Sequence, residues 1–132
     1  MREIKFRGKR KDNGEWVVGY YYSECDVYYI FEDRQKESML NRNTPHRVIP
    51  ETIGQYTGLK DKNGVEIYEG DIVERHGSKT YRDIVFVEIS ARFCYRFKDG
   101  AGNNILSAIN KQDMAEFFKV IGNIHDNKEL LK

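Results

Sequence analysis

Most of this sequence is written in short runs in which apolar and polar side chains alternate, and most runs end on a turn built from Gly, Asn or Asp. Period-two alternation sends successive side chains to opposite faces of an extended chain, so such runs suit half-buried strands and not helices. Ile4 and Phe6 alternate with Lys5 and Arg7, Asp12-Asn13-Gly14 turns the chain, and Glu15 to Tyr22 resumes the pattern as a hairpin. Val27 to Phe31, Val65 to Tyr68, Asp71 to Glu74, Tyr81 to Ile89, Ala91 to Phe97 and Phe117 to Ile124 read as further strands. Turns at Asp61-Lys62-Asn63-Gly64, Glu69-Gly70, Ser90 and Lys98 to Asn104 punctuate them. The aromatic share is 13%, with nine Tyr and seven Phe against two Pro, which fits strands better than helices. The expectation is an all-β or mostly β chain, one domain over residues 1–132, with roughly seven or more strands in small barrel-like or curved antiparallel sheets. Short peripheral helices are expected only at 34–41, at 111–117 and at Lys128-Glu129-Leu130-Leu131, where Asn127 can act as cap. Asp33 to Thr44 is too polar for a buried strand and reads as a long loop.

The register of the first hairpin decides what its faces carry, because a slip of one residue exchanges them. A two-residue loop at Asn13-Gly14 pairs Asp12 with Glu15 and sets Lys5, Arg7, Lys9 and Lys11 on the face of Trp16, Val18, Tyr20 and Tyr22. A three-residue loop ending in a left-handed Gly14 pairs Lys11 with Glu15 and puts Ile4 and Phe6 on that aromatic face instead. The second arrangement separates one apolar face from one polar face and is the preferred expectation. The first would interleave cations with rings, as single-stranded nucleic-acid binders do.

Charge gives little guidance on partners, since 22 Lys plus Arg stand against 21 Asp plus Glu for a net charge of +1. Locally, Arg2, Lys5, Arg7, Lys9, Arg10 and Lys11 face only Glu3, a basic strip. It serves either as a nucleic-acid contact or as a hairpin edge whose lysines discourage strand pairing. The candidate binding residues are therefore Lys5, Arg7 and Lys9 with Tyr20, Tyr21, Tyr22 and Tyr29, for a protein partner first and nucleic acid second. The clusters Tyr20-Tyr21-Tyr22 and Tyr28-Tyr29 leave more ring surface than one core takes, which suggests self-association into a homo-oligomer.

Chemistry-bearing side chains form no recognisable set. His46, His76, His125, Cys25 and Cys94 lack the close pairs of a zinc site, no Gly-x-Ser-x-Gly or similar nucleophile motif is present, and no cofactor is implied. The acidic stretch of Asp61, Glu66, Glu69, Asp71 and Glu74 reads as solvated turns, with Glu69 and Asp71 the first candidates if it were catalytic. A binding protein, not an enzyme, is expected. The N-terminal Met1-Arg2-Glu3-Ile4-Lys5 lacks the apolar core of a signal peptide, and no run approaches the roughly 18 apolar residues of a membrane span, so a soluble cytoplasmic protein is expected.

Five phrases carry a family resemblance: Arg2 to Lys9, Asn13 to Tyr20, Gln55-Tyr56-Thr57-Gly58-Leu59-Lys60-Asp61, Gly64 to Val73, and Val120-Ile121-Gly122-Asn123-Ile124. Together they resemble the YopX family of phage and prophage proteins. The resemblance implies a compact, mainly β fold and an accessory role inside a bacterial host cell, with no defined activity. Glu69-Gly70-Asp71-Ile72-Val73 also resembles the turn that opens a strand in small SH3-like barrels, a likeness of fold that says little about ligand. Asp33 to Thr44 and Gly77 to Asp83 carry no family pattern.

Overall fold

A computed structural model describes residues 3–33, 43–78 and 80–131. The expected helical turn at 34–41 lies outside the described residues. The chain divides into two compact units, residues 1–56 and 57–132.

In the first unit β1 (Phe6–Lys9), β2 (Trp16–Glu24), β3 (Val27–Asp33) and β4 (Asn43–Arg47) form an antiparallel sheet ordered β4-β3-β2-β1, which continues into the start of β5 (Gly54–Lys60). Val17, Ile30 and Val48 are its buried centre, with Phe6, Tyr28 and Ile53 packed around them. The hairpin register differs from both candidate registers, since Phe6 pairs with Gly19 and Lys9 with Trp16. The preferred three-residue loop is thereby corrected to a wider one. Arg10 N–H donates to Glu15 O at 2.8 Å and Gly14 N–H to Arg10 O at 3.0 Å, so Lys11 to Gly14 form the turn, with Gly14 left-handed at φ 74° as expected. The inner face is Phe6, Gly8, Val17, Gly19 and Tyr21, and the rings of Trp16, Tyr20 and Tyr22 face outward. Backbone approach explains the choice: a Cβ on Gly19 would run into the Phe31 carbonyl, and one on Gly8 would lie 3.1 Å from Val48 Cβ. Small residues thus mark the inward positions, which a reading weighted by ring hydrophobicity inverts.

The β2–β3 turn is Cys25-Asp26, both left-handed at φ 51° and 62°, a two-residue hairpin loop made without Gly or Asn. β4 occupies the end of the segment expected to be loop. It is an outer strand in the sheet order, where Pro45 is tolerated because one side of the backbone needs no ladder bond.

The second unit holds the rest of β5, β6 (Glu66–Tyr68) beside it, and a five-stranded antiparallel sheet ordered β10-β9-β8-β7-β11. These are β7 (Asp71–Arg75), β8 (Tyr81–Val87), β9 (Arg92–Lys98), β10 (Asn104–Ala108) and β11 (Phe118–Asn123). Ile67, Val73, Ile84, Met114 and Phe118 form its core. The expected hairpin around Ser90 is β8–β9, turned by a 3-10 segment at Glu88–Ser90 and a left-handed Ala91. A helix, α1 (Lys111–Phe117), lies where it was expected, and its first turn is capped by Asn110 Oδ1 accepting from Asp113 N–H at 2.8 Å. Lys128–Leu131 is a 3-10 turn, and Asn127 Oδ1 accepts from Asn123 N–H behind it, not from the turn that it was expected to cap.

The mostly β, antiparallel expectation holds, but the sheets are open and not closed into a barrel. Among the described residues no helix is long and apolar enough to cross a membrane.

Candidate nucleic-acid interface

Direct cross-strand partners in an antiparallel sheet share a face, so the register places each side chain of the first unit. Arg7 opposes Val18 and Lys9 opposes Trp16. Tyr20 opposes Phe31, Tyr22 opposes Tyr29, and Tyr29 in turn opposes Arg47 on β4. One outer face therefore carries Arg7, Lys9, Trp16, Val18, Tyr20, Tyr22, Tyr29, Phe31 and Arg47. The loop differs in length from the two-residue one, yet it has the same parity, so cations and rings interleave.

The spacing of the groups is that of direct contact. The Arg7 guanidinium carbon lies 4.7 Å from the Trp16 ring centre and Lys9 Nζ 5.9 Å from it, within cation–π range. Tyr22, Tyr29 and Phe31 form a cluster with ring centres 6.0 to 6.5 Å apart. Tyr20 and Tyr22 are 54% and 46% exposed, so their rings remain open to a partner. The Tyr22 hydroxyl donates to Glu24 Oε2 at 3.1 Å, and this carboxylate raises the phenol pKa above its ordinary value.

Of the residues nominated from sequence, Arg7, Lys9, Tyr20, Tyr22 and Tyr29 come together here. Lys5, one residue before β1, is paired with Glu3 at 3.1 Å and lies 5.0 Å from the Tyr56 ring centre. Tyr21 points to the other face, where its ring is 5.5 Å from Phe6 and 6.2 Å from Tyr28. Phe31 and Arg47 were missed. Phe31 was legible as the next same-face residue after Tyr29, whereas Arg47 gains its place only once β4 is known.

The acidic stretch is not the set of solvated turns expected: Asp61 and Asp71 are buried and do structural work. Asp71, 1% exposed, accepts from Tyr68 N–H at 2.7 Å and closes the β6–β7 turn, as a residue following Gly70 can. Asp61 accepts from Asn63, Val65 and Val120 N–H groups at 2.8 to 2.9 Å. Among the described residues no group of His, Cys, Asp and Glu is arranged to hold a metal ion, and Cys25 and Cys94 are free thiols.

Among the described residues of the second unit, one cation is buried. Arg82 is 9% exposed, with its guanidinium carbon 5.2, 4.9 and 5.7 Å from the ring centres of Tyr95, Phe97 and Phe118. Burial lowers its pKa, and neighbouring Arg75 lowers it further. Arg82 Nη1 donates to Thr80 O over a long 3.3 Å. A cation so placed contributes ring contact more than charge pairing, so Arg82→Met is expected to change unfolding free energy by less than about 1 kcal/mol in a urea melt. A loss of roughly 3 kcal/mol would show instead that the guanidinium is an essential hydrogen-bond donor.

No curated protein matches the chain. Among solved structures, the crystal structure of protein EF1440 from Enterococcus faecalis is similar, with a TM-score of 0.60 and 23% identity over 100% of both chains. At that identity the likeness concerns the fold alone. The family model of the YopX protein matches residues 5–132, spanning both units and all five sequence phrases except Arg2-Glu3-Ile4 of the first, and the chain belongs to the YopX family.

Proposed function

We propose that this protein acts by binding, as a phage or prophage accessory factor in the bacterial cytoplasm, and that its outer β1–β4 face takes single-stranded nucleic acid. The observation that carries this reading is the interleaving of Arg7, Lys9 and Arg47 with Trp16, Tyr20, Tyr22, Tyr29 and Phe31 on one sheet face. Open rings on a flat sheet stack bases without regard to sequence, and flanking cations follow the phosphates. The phage setting comes from the family, and the non-catalytic reading from the engagement of Asp61 and Asp71 with backbone amides.

Binding of a labelled oligothymidylate, followed by fluorescence anisotropy, tests it. Tyr20→Ser and Tyr22→Ser should each weaken binding by roughly 1–3 kcal/mol, the usual worth of one stacked base. Failure of the unmodified protein to bind at any ionic strength would sink the reading. A protein partner is the second reading, a host or phage protein or another copy of this chain. Val18 and Tyr20, 40% and 54% exposed on the same face, favour it, since uncharged ring and aliphatic surface suits a protein interface.

A further inference from the structure

A pocket of about 330 Å³ opens where the β1–β2 turn meets the end of β4, lined by Arg10, Lys11, Asp12, Pro45, His46 and Arg47. Arg10, Lys11 and Arg47 bring three fixed positive charges to this lining, Glu15 and Glu32 lie near enough to act on Arg10, and Asp12 adds the one carboxylate of the lining itself. That carboxylate is already committed: Arg10 Nε and Nη2 donate to the two Asp12 oxygens at 3.0 and 2.8 Å. The pair raises the Arg10 pKa and lowers that of Asp12, so both remain ionised near neutral pH. His46 Nε2 lies 2.9 Å from Glu32 Oε2 and is held by that contact. Among the described residues, Lys11 and Arg47 are left as two positive charges at the pocket.

The backbone around these groups is fixed. Lys11 N–H donates to Arg47 O at 2.9 Å, Arg10 bridges to Val48, and Asn13 Oδ1 accepts from Glu15 N–H at 3.0 Å to hold the turn. A pocket held in this way spends little ordering entropy when it receives an anion. Arg47 also lies across from Tyr29 on the aromatic face, so one residue is shared by the pocket lining and that face.

We propose that this pocket is a phosphodiester subsite: it takes one backbone phosphate of the strand whose neighbouring bases lie on Tyr22 and Tyr29. Arg10, Lys11 and Arg47 supply the donors, and Asp12 orients Arg10. The inference rests on the nucleic-acid reading and adds where the strand crosses the sheet edge.

The experiment is the salt dependence of oligothymidylate binding for the full chain and for the double variant Lys11→Gln/Arg47→Gln. Loss of one phosphate contact should weaken binding roughly tenfold and make the plot of log affinity against log salt less steep by about 0.7. The charge-preserving pair Lys11→Arg/Arg47→Lys should restore the slope, and circular dichroism should show both variants folded. If the double variant keeps the parent slope while Tyr20→Ser still weakens binding, the subsite is wrong and the nucleic-acid reading stands. If the unmodified protein shows no salt-dependent binding, the reading itself fails and the subsite falls with it.

Discussion

Gly19→Ala is expected to unfold the first unit or to cost it roughly 3 kcal/mol or more, the upper range for forcing an extra carbon into a packed interior. An added Cβ would collide with the Phe31 carbonyl oxygen and lie 2.8 Å from its carbon and 3.1 Å from Glu32 Cα. All three atoms are backbone, so no side chain can swing away. Relief requires β3 to move off β2, and Ile30, fully buried on β3, then loses its seat between Val17 and Val48. Gly14→Ala is the control. Its φ of +74° strains any L side chain, yet nothing lies within 4 Å, so its cost should be about 1 kcal/mol. Urea melts of the two variants compare them, and similar losses would show that β3 moves off β2 at little cost and that the close approach at Gly19 is not what requires glycine.

Asp61→Ala is expected to be the most damaging single truncation in the second unit, at about 3 kcal/mol. The side chain is 3% exposed, and its two oxygens divide the work. Oδ1 accepts from Asn63 and Val65 N–H groups and shapes the turn, while Oδ2 accepts from Val120 N–H on β11. One carboxylate therefore joins a local turn to a strand 59 residues away. Alanine would strand the Val120 amide, which is partly buried. Asp61→Asn should fall between, because the amide keeps one accepting oxygen and turns a donor toward whichever N–H it does not serve. Equilibrium unfolding gives the order, and hydrogen exchange at Val120 locates the loss. An unchanged Val120 exchange rate in Asp61→Ala would remove the carboxylate from that role.

Asp61 also shows where the sequence stops being informative. In sequence it is one of several acids near a Lys-Asn-Gly turn, and nothing local separates it from Glu66 or Glu74. Its role exists because β11 returns beside the turn, and that is a fact of chain topology. Asp71 was easier to read, since a carboxylate directly after Gly70 can bond the amide of the turn that it closes. Helix α1 was legible for a similar reason, as its limits follow from local chemistry that includes the Asn110 cap. β4 and β10 were not. Their residues lack a strong apolar alternation because each is an outer strand in its sheet, with partners on one side to satisfy.

The candidate site depended on parity more than on composition. From sequence alone came its ingredients: a basic strip on β1, three consecutive Tyr residues on β2, and the alternation that separates Tyr21 from Tyr20 and Tyr22. Period two is local, so the side chains that share a face within one strand follow from the residues themselves. Which face of β1 meets which face of β2, and which of the two lies inward, was decided by the tertiary structure. Gly8 and Gly19 admit the closest neighbours, Val48 and the Phe31 backbone; Phe31 lies on the hairpin partner β3, whereas Val48 follows β4, which no local pattern brings to β1. Close packing against the Phe31 backbone and the Val48 side chain therefore turned the rings outward beside Arg7 and Lys9, against the preference that hydrophobicity alone would set.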